Sequence, residues 1–308
     1  MAERVRLGTR GSPLALRQAE LVAERLARAW PDLAVQLVPI RTSADKMPHA
    51  SLAEVGGKGL FVKEIEEALL AGRVELAVHS LKDLPAEVPA GLILAAFPER
   101  DDPRDVLVSR VGGGLGALPR GARVGTGSLR RRVQLLAHRP DLVVDPIRGN
   151  VGTRLEKLLD GSYDAIVLAA AGLRRLEIEP AGVAVLEPEE MLPAVGQGTL
   201  VVETREDDAV TRRLVAAVDR EETRTGATAE RAFLEAMGGS CTTPLAAYAR
   251  VASQGFRLDA FVATPDGGRV LRDGEQGDER APADLGRRVA ARMLAAGAVD
   301  IIRAGQSA

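Results

Sequence analysis

The turn Gly238-Gly-Ser-Cys-Thr-Thr-Pro244 holds the only cysteine of the chain, Cys241. A lone cysteine is either a small buried hydrophobe or, in an accessible turn, a thiolate nucleophile with no competing thiol. A second set of chemistry-bearing residues is cationic. Arg130 and Arg131 follow Ser128, Arg148 and Arg154 bracket a Gly-Asn-Val-Gly-Thr stretch, Arg175 closes Ala171-Gly-Leu-Arg-Arg175, and Arg10 and Ser12 stand in Thr9-Arg-Gly-Ser-Pro13. Only five of 41 basic residues are lysine, and four of them, Lys46, Lys58, Lys63 and Lys82, fall between positions 46 and 82. Cations at a helix N-terminus oppose its dipole and cost up to about 1 kcal/mol each. A bound anion offsets that cost through helix amides and guanidinium forks together. Several separate arginine turns therefore suit a ligand with many carboxylates. The bland reading of each is a solvated surface charge. Asp83, beside Lys82, is the one acid placed among these cations at a strand end; it is either a reacting carboxylate or the salt-bridge partner of Lys82.

Other chemistries fail on residue type. Leu52 and Gly59 stand where a phosphate-binding loop around Lys58 needs Gly and Ser or Thr. No Gly-x-Gly-x-x-Gly opens a helix in a dinucleotide-binding context, and no Ser-His-Asp nucleophile elbow is present. Three histidines and one cysteine lack metal-ligand spacing, so no metal is expected. A net charge of −2 argues against a nucleic-acid binder. One cysteine excludes an internal disulfide framework and fits a reducing compartment. No apolar run has the length of a membrane span or a signal peptide. The expectation is a cytoplasmic monomer acting on a small molecule.

The elements that must position these residues read as α/β. Val5 and Leu7 suggest a strand, then Ser12 and Pro13 offer an N-cap and first helical residue for an apolar stripe running to Trp30. Strands follow at 35–40 and 74–78, separated by a long polar segment, 41–59, and a helix over 60–70. Such a long loop is expected to be a mobile lid. The pattern restarts after Asp101-Asp-Pro-Arg104, with strands at 106–108, around 124, at 142–147 and at 165–169, and another at 200–203. From about residue 222 it changes to a helix ending near Met237, strands at 245–251, 256–263 and 269–273, and a helix over 282–296. The expected organisation is residues 1–98 with 199–218 as one α/β lobe, 99–198 as a second, and 219–308 as an α+β domain. In open α/β sheets ligands sit at the carboxyl ends of strands, where Arg10, Ser12, Lys82 and Asp83 fall.

Two α/β lobes with crossings near 99–104 and 193–199 resemble periplasmic solute-binding proteins, which close by a hinge. A two-lobed binding module for a polycarboxylate is therefore a competing reading. It explains the lobes and arginines but leaves Asp83 and Cys241 unused.

Nine segments carry a closer resemblance: TRGSPLAL, GGKGLFVKEIEEALL, VHSLKD-P, DDPRDVLVS, VGTGSLRR, RGNVGTRL, YDAIVLAAAGLRRL, LPAVGQG and GGSCTTP. In this order, across nearly the whole chain, they resemble the porphobilinogen deaminase (hydroxymethylbilane synthase) family. Two departures are Gly127, where the family often has Ser, and TSADKM in place of a T-x-G-D loop. The resemblance implies a dipyrromethane cofactor joined by a thioether to Cys241. It implies porphobilinogen as substrate, four units being deaminated and joined before hydroxymethylbilane is released in tetrapyrrole synthesis. By motif position Lys82, Ser128, Arg130, Arg131 and Arg148 would hold the cofactor, while Arg10, Ser12, Lys58, Arg154 and Arg175 would hold the growing chain. Asp83 takes the catalytic role.

Overall fold

The computed structural model describes residues 4–43, 62–238, 243–252 and 255–306. Cys241, Lys58 and most of the expected lid lie outside them. The chain gathers into two compact units, residues 1–101 with 199–225 and residues 102–198 with 226–308.

In the first unit, β1 (Arg4–Arg10) runs directly into α1 (Pro13–Ala29). Ser12 is the N-cap, its hydroxyl accepting from the Ala15 amide at 3.3 Å, and Pro13 supplies the first helical turn. Strand β2 (Ala34–Ile40), helix α2 (Lys63–Leu70), β3 (Leu76–Ser80) and β4 (Leu92–Ala96) follow. Strand β3 starts two residues later than the apolar run suggests and takes in His79 and Ser80. Val74 instead sits in the core beside the end of α2, its amide bonded to the Ala68 carbonyl.

The chain next builds the second unit. Strand β5 (Asp105–Ser109), β6 (Arg123–Gly125), α3 (Leu129–His138), β7 (Val143–Asp145), α4 (Val151–Leu159), β8 (Ala165–Ala169), α5 (Ala170–Arg175) and β9 (Val183–Leu186) lie in that order. Strand β7 is shorter than the expected 142–147, because Pro146 has no amide to extend the ladder. Ala171-Gly-Leu-Arg-Arg175 does lie at a helix start, but α5 is only six residues long, so Arg175 is its last residue, where a cation suits the dipole.

Residues 200–205 return to the first unit as β10 (Leu200–Arg205), followed by α6 (Ala209–Val215). The first sheet has the order β2-β1-β3-β10-β4 and the second β7-β6-β8-β5-β9. Each has three parallel strands and then one antiparallel to both its neighbours: β10 in the first sheet, β5 in the second. In both sheets that strand is the first one the chain forms after crossing over. One face of the first sheet packs Leu7, Val22, Leu26, Val78 and Val202; the other packs Ile65, Ala68, Leu69 and Leu92. Mixed α/β architecture is thus as expected from the alternating pattern.

Helix α7 (Glu221–Met237) leads to a three-stranded antiparallel sheet of β11 (Leu245–Ala252), β12 (Gly255–Ala263) and β13 (Val270–Gly277). The expected single terminal helix is two, α8 (Pro282–Met293) and α9 (Val299–Gln306). Gly297 between them has φ 97°, a left-handed conformation that breaks the helical run. Phe233, Leu258, Leu285, Val289 and Ile301 form the core of this part. Within the second unit Val133 and Leu192 also pack on Ala246 and Phe261, so the two sheets of that unit share apolar contacts.

Candidate active site

In the first unit, β1 and β3 are parallel neighbours, and both reach their carboxyl ends on the same side. Strand β1 delivers Arg10 there, the α1 cap delivers Ser12, and β3 passes through Ser80 into a single 3₁₀ turn, Leu81–Asp83. That turn is pinned by the Leu81 amide, which donates to the Thr199 carbonyl at 3.0 Å. Arg10, Ser12, Gln18, His79, Ser80 and Asp83 line one recess of about 70 Å³. Arg10, Ser12 and Asp83, all expected at strand ends, are thus brought together. Lys82 is half-buried in the same turn.

Two residues of this recess were not foreseen. Gln18 is buried on α1 and its amide donates to the Ser80 hydroxyl at 3.0 Å. A glutamine on the apolar stripe of a helix was the available signal, since a buried polar group needs a partner. His79 is buried, its Nε2 lying 3.1 Å from the fully buried Glu203 on β10.

In the second unit, Ser128 caps α3, accepting from the Arg131 amide at 3.5 Å. Arg130 and Arg131 both occupy the first turn of α3, as expected, yet their side chains turn inward. Arg131 donates to Asp105 on β5 at 2.7 Å and to the Val167 carbonyl at 2.9 Å. Arg130 lies 2.8 Å from the other Asp105 oxygen and donates to the Leu192 carbonyl at 2.6 Å. Asp105 is wholly buried and also accepts from Gln197 at 3.0 Å. Two guanidiniums thus share one carboxylate in a dry setting, leaving a surplus positive charge. Burial pulls the Arg130 guanidinium below its usual range, with Asp105 working against it.

Arg154 adds to this surplus. Its Nε donates to the Gly149 carbonyl at 2.8 Å. Its pKa is lowered, first by burial and then by the charge of Arg131. Gly149 holds φ 110°, and a Cβ there would meet Thr153 at 2.7 Å, so only glycine closes this turn. Arg148 is exposed. Arg175 is buried and donates to the Gly198 carbonyl at 2.5 Å. Gly196 and Gly198 both have positive φ, and the Gly196 amide donates to Glu230 at 2.6 Å. The Val195-Gly-Gln-Gly198 stretch is thereby held at three points, by Glu230 at Gly196, Asp105 at Gln197 and Arg175 at Gly198. Among the described residues no group of three or more His, Cys, Asp or Glu is placed to hold a metal ion.

Removing Arg131 leaves the Val167 carbonyl and one Asp105 oxygen each short of a buried guanidinium donor, while Arg130 still pairs with the other Asp105 oxygen. Arg131→Leu is therefore expected to cost about 1–3 kcal/mol of stability. Urea unfolding measures this; a loss under about 1 kcal/mol would mean that Asp105 is satisfied without Arg131.

Comparison with known proteins agrees with the motifs. The family model described as porphobilinogen deaminase, dipyromethane cofactor binding domain, matches residues 5–213, and the C-terminal domain of porphobilinogen deaminase matches residues 225–295. A porphobilinogen deaminase from Syntrophus aciditrophicus (strain SB) is 47% identical over 293 residues, 95% of this chain and 96% of the relative. Among solved structures, a methionine binding protein has a TM-score of 0.45 at 16% identity, over 72% of this chain and 92% of its own. A probable amino-acid ABC transporter extracellular-binding protein from Bacillus subtilis has a TM-score of 0.43 at 11% identity, over 71% and 91%. These two likenesses pass no ligand or role to the chain. With both domain models matched and a relative nearly half identical across its length, the chain belongs to the porphobilinogen deaminase family of transferases.

Proposed function

We propose that the chain deaminates porphobilinogen and joins four units head to tail on a dipyrromethane primer, releasing hydroxymethylbilane. The observation that carries the chemistry is the recess shared by Asp83, Arg10 and Ser12 at the strand ends. Loss of ammonia leaves positive charge on the substrate ring, and a fixed carboxylate stabilises that charge as it develops, by a few kcal/mol in typical cases. Asp83 also relays a proton toward the departing amine. Arg10 and Ser12 hold a substrate carboxylate.

The cofactor fits the second unit on charge. When bound, it supplies a covalent primer whose free pyrrole end accepts each new unit. Arg130, Arg131 and Arg154, with their surplus cationic charge around Asp105, would hold its acetate and propionate arms. Ser128 and Arg148 border the same helix starts. Cys241 is the proposed tether; Lys82, Lys58 and Arg175 complete the proposed contacts, Arg175 by bracing Gly198. The proposed enzyme is a cytoplasmic monomer that needs no nucleic acid; net charge −2 and a single thiol support this, and among the described residues no helix is long and apolar enough to cross a membrane.

Purified protein given porphobilinogen is expected to release ammonia and hydroxymethylbilane. Saturable binding without ammonia release would instead favour the two-lobed binding module.

Arginines that bind should differ from arginines that decorate. Arg148→Leu or Arg154→Leu is expected to block primer assembly or early elongation, leaving ligand carboxylates without partners. Arg287→Leu is the control: its guanidinium pairs with Asp284 at 2.5 Å on an exposed helix face. Such pairs contribute little. Equal losses in all three, read as turnover and bound-cofactor mass, would point to a general charge requirement.

A further inference from the structure

One face of the β11–β13 sheet is apolar and forms the core with Phe233 and Leu285. The other face carries charges that the proposed chemistry does not use. The register sets Arg250 directly opposite Arg257, Asp259 opposite Gly274, and Phe261 opposite Arg272. Like charges directly opposite repel. Asp259, two residues along β12 on the same face, relieves the pair: one oxygen lies 2.6 Å from Arg250 and the other 2.7 Å from Arg257. One carboxylate between two guanidiniums still leaves a surplus positive charge. Gly274 makes room for the cluster, since a Cβ there would fall against the Asp259 carboxylate and 2.7 Å from Arg257. Arg272 adds a third cation, its guanidinium lying over the Phe261 ring at 5.1 Å. Stacking uses the flat face of a guanidinium and leaves its N–H edge for a ligand.

These three arginines line a cavity of about 390 Å³ with Asp259, Pro188 and Leu192. That volume lies in the range of small-molecule sites. Its wall is set before any ligand arrives. Leu192 packs with Val133 and Phe261, its amide donates to Gln134 Oε1 at 2.9 Å, and its carbonyl accepts from Arg130 at 2.6 Å. Two other acids border the cavity. Asp273 is paired with Arg292 of α8 at 2.8 Å. Glu189, largely exposed at the rim, is 3.9 Å from Arg250 and is the acid that an incoming anion would replace.

We propose that this cavity is a second binding site, for a small dicarboxylate whose two charged ends are joined by a short apolar chain. One carboxylate meets the Arg250 and Arg257 guanidiniums, and the other meets the edge of Arg272. The spacing comes from the strand. Asp259 and Phe261, which anchor the two cationic groups, are two residues and about 7 Å apart along β12. The apolar linker then lies against Leu192, which suits a wall without charge. A ligand with a single carboxylate would leave one cationic group unused.

The test titrates holoprotein calorimetrically with adipate, with hexanoate, which has one carboxylate at the same chain length, and with inorganic phosphate. Each titration is repeated on Arg272→Gln and Arg272→Lys. Arg272 is exposed, so both variants should keep the wild-type melting temperature. Adipate should saturate one site on wild type, and hexanoate and phosphate should bind roughly ten-fold more weakly or worse. Arg272→Gln should weaken adipate by roughly ten-fold, the loss of one charge-assisted contact. Arg272→Lys, which keeps the cation but not the planar fork, should fall between the two. Equal adipate affinity in wild type and Arg272→Gln would put the anion on another cationic group and overturn the proposal. Phosphate binding as tightly as adipate would also overturn it, by describing a single-anion site. So would adipate that never saturates.

Discussion

Asp83→Asn keeps the fold and the attached cofactor and lowers turnover by about 10²–10³-fold, the usual cost of losing one preorganised electrostatic group. The change is nearly isosteric, and Asp83 sits half-buried in a turn whose backbone is held from Leu81 to Thr199. Little of the fold depends on its charge. What disappears is the negative group facing a cation that exists only during reaction, so kcat should drop far more than KM changes. Melting temperature and intact mass verify the fold and the cofactor. Steady-state rates near wild type would remove Asp83 from the mechanism.

Cys241→Ser is the second large effect. Cys241 is the only thiol in 308 residues, so a thioether has no other place to form. Wild type as purified should exceed its sequence mass by one dipyrromethane, and the excess should survive denaturation because the bond is covalent. Thiol reagents should label one site in apoprotein and almost nothing in holoprotein. The serine variant should fold, carry no thioether-linked cofactor and turn over at a trace of the wild-type rate. An unmodified wild-type mass together with full activity would return Cys241 to the role of a small hydrophobe.

Much of the architecture was legible because alternation and caps are local signals. Ser12-Pro13 announced α1, and Ser128 announced α3, each through its own cap. Arg10, Ser12 and Asp83 could be grouped because ligands gather at strand ends. What escaped was decided by pairing across the chain. Strand β4 was hidden in a short apolar run after Pro89, and only β10, arriving from far along the sequence, makes it a strand. The same partner extends β3 through His79 and Ser80. Arg130 and Arg131 read as open anion-binding groups from helix position alone. Asp105, on a different strand, takes up part of their charge, and nothing in the spacing of residues 105 and 131 shows it. The role of Gln197 was equally silent, since its partner is again Asp105.

The position of β10 between β3 and β4 bears on how the enzyme is made. During synthesis the ribosome completes β1 to β4, then the whole of β5 to β9, before the strand that joins β3 to β4 exists. A nascent chain shorter than 200 residues has β3 with a bare edge, His79 without Glu203 and Leu81 without the Thr199 carbonyl. Catalytic competence is therefore one of the last properties the polypeptide acquires. The long sequence separation of this pairing should make maturation slow, with a waiting hydrophobic edge in need of shelter.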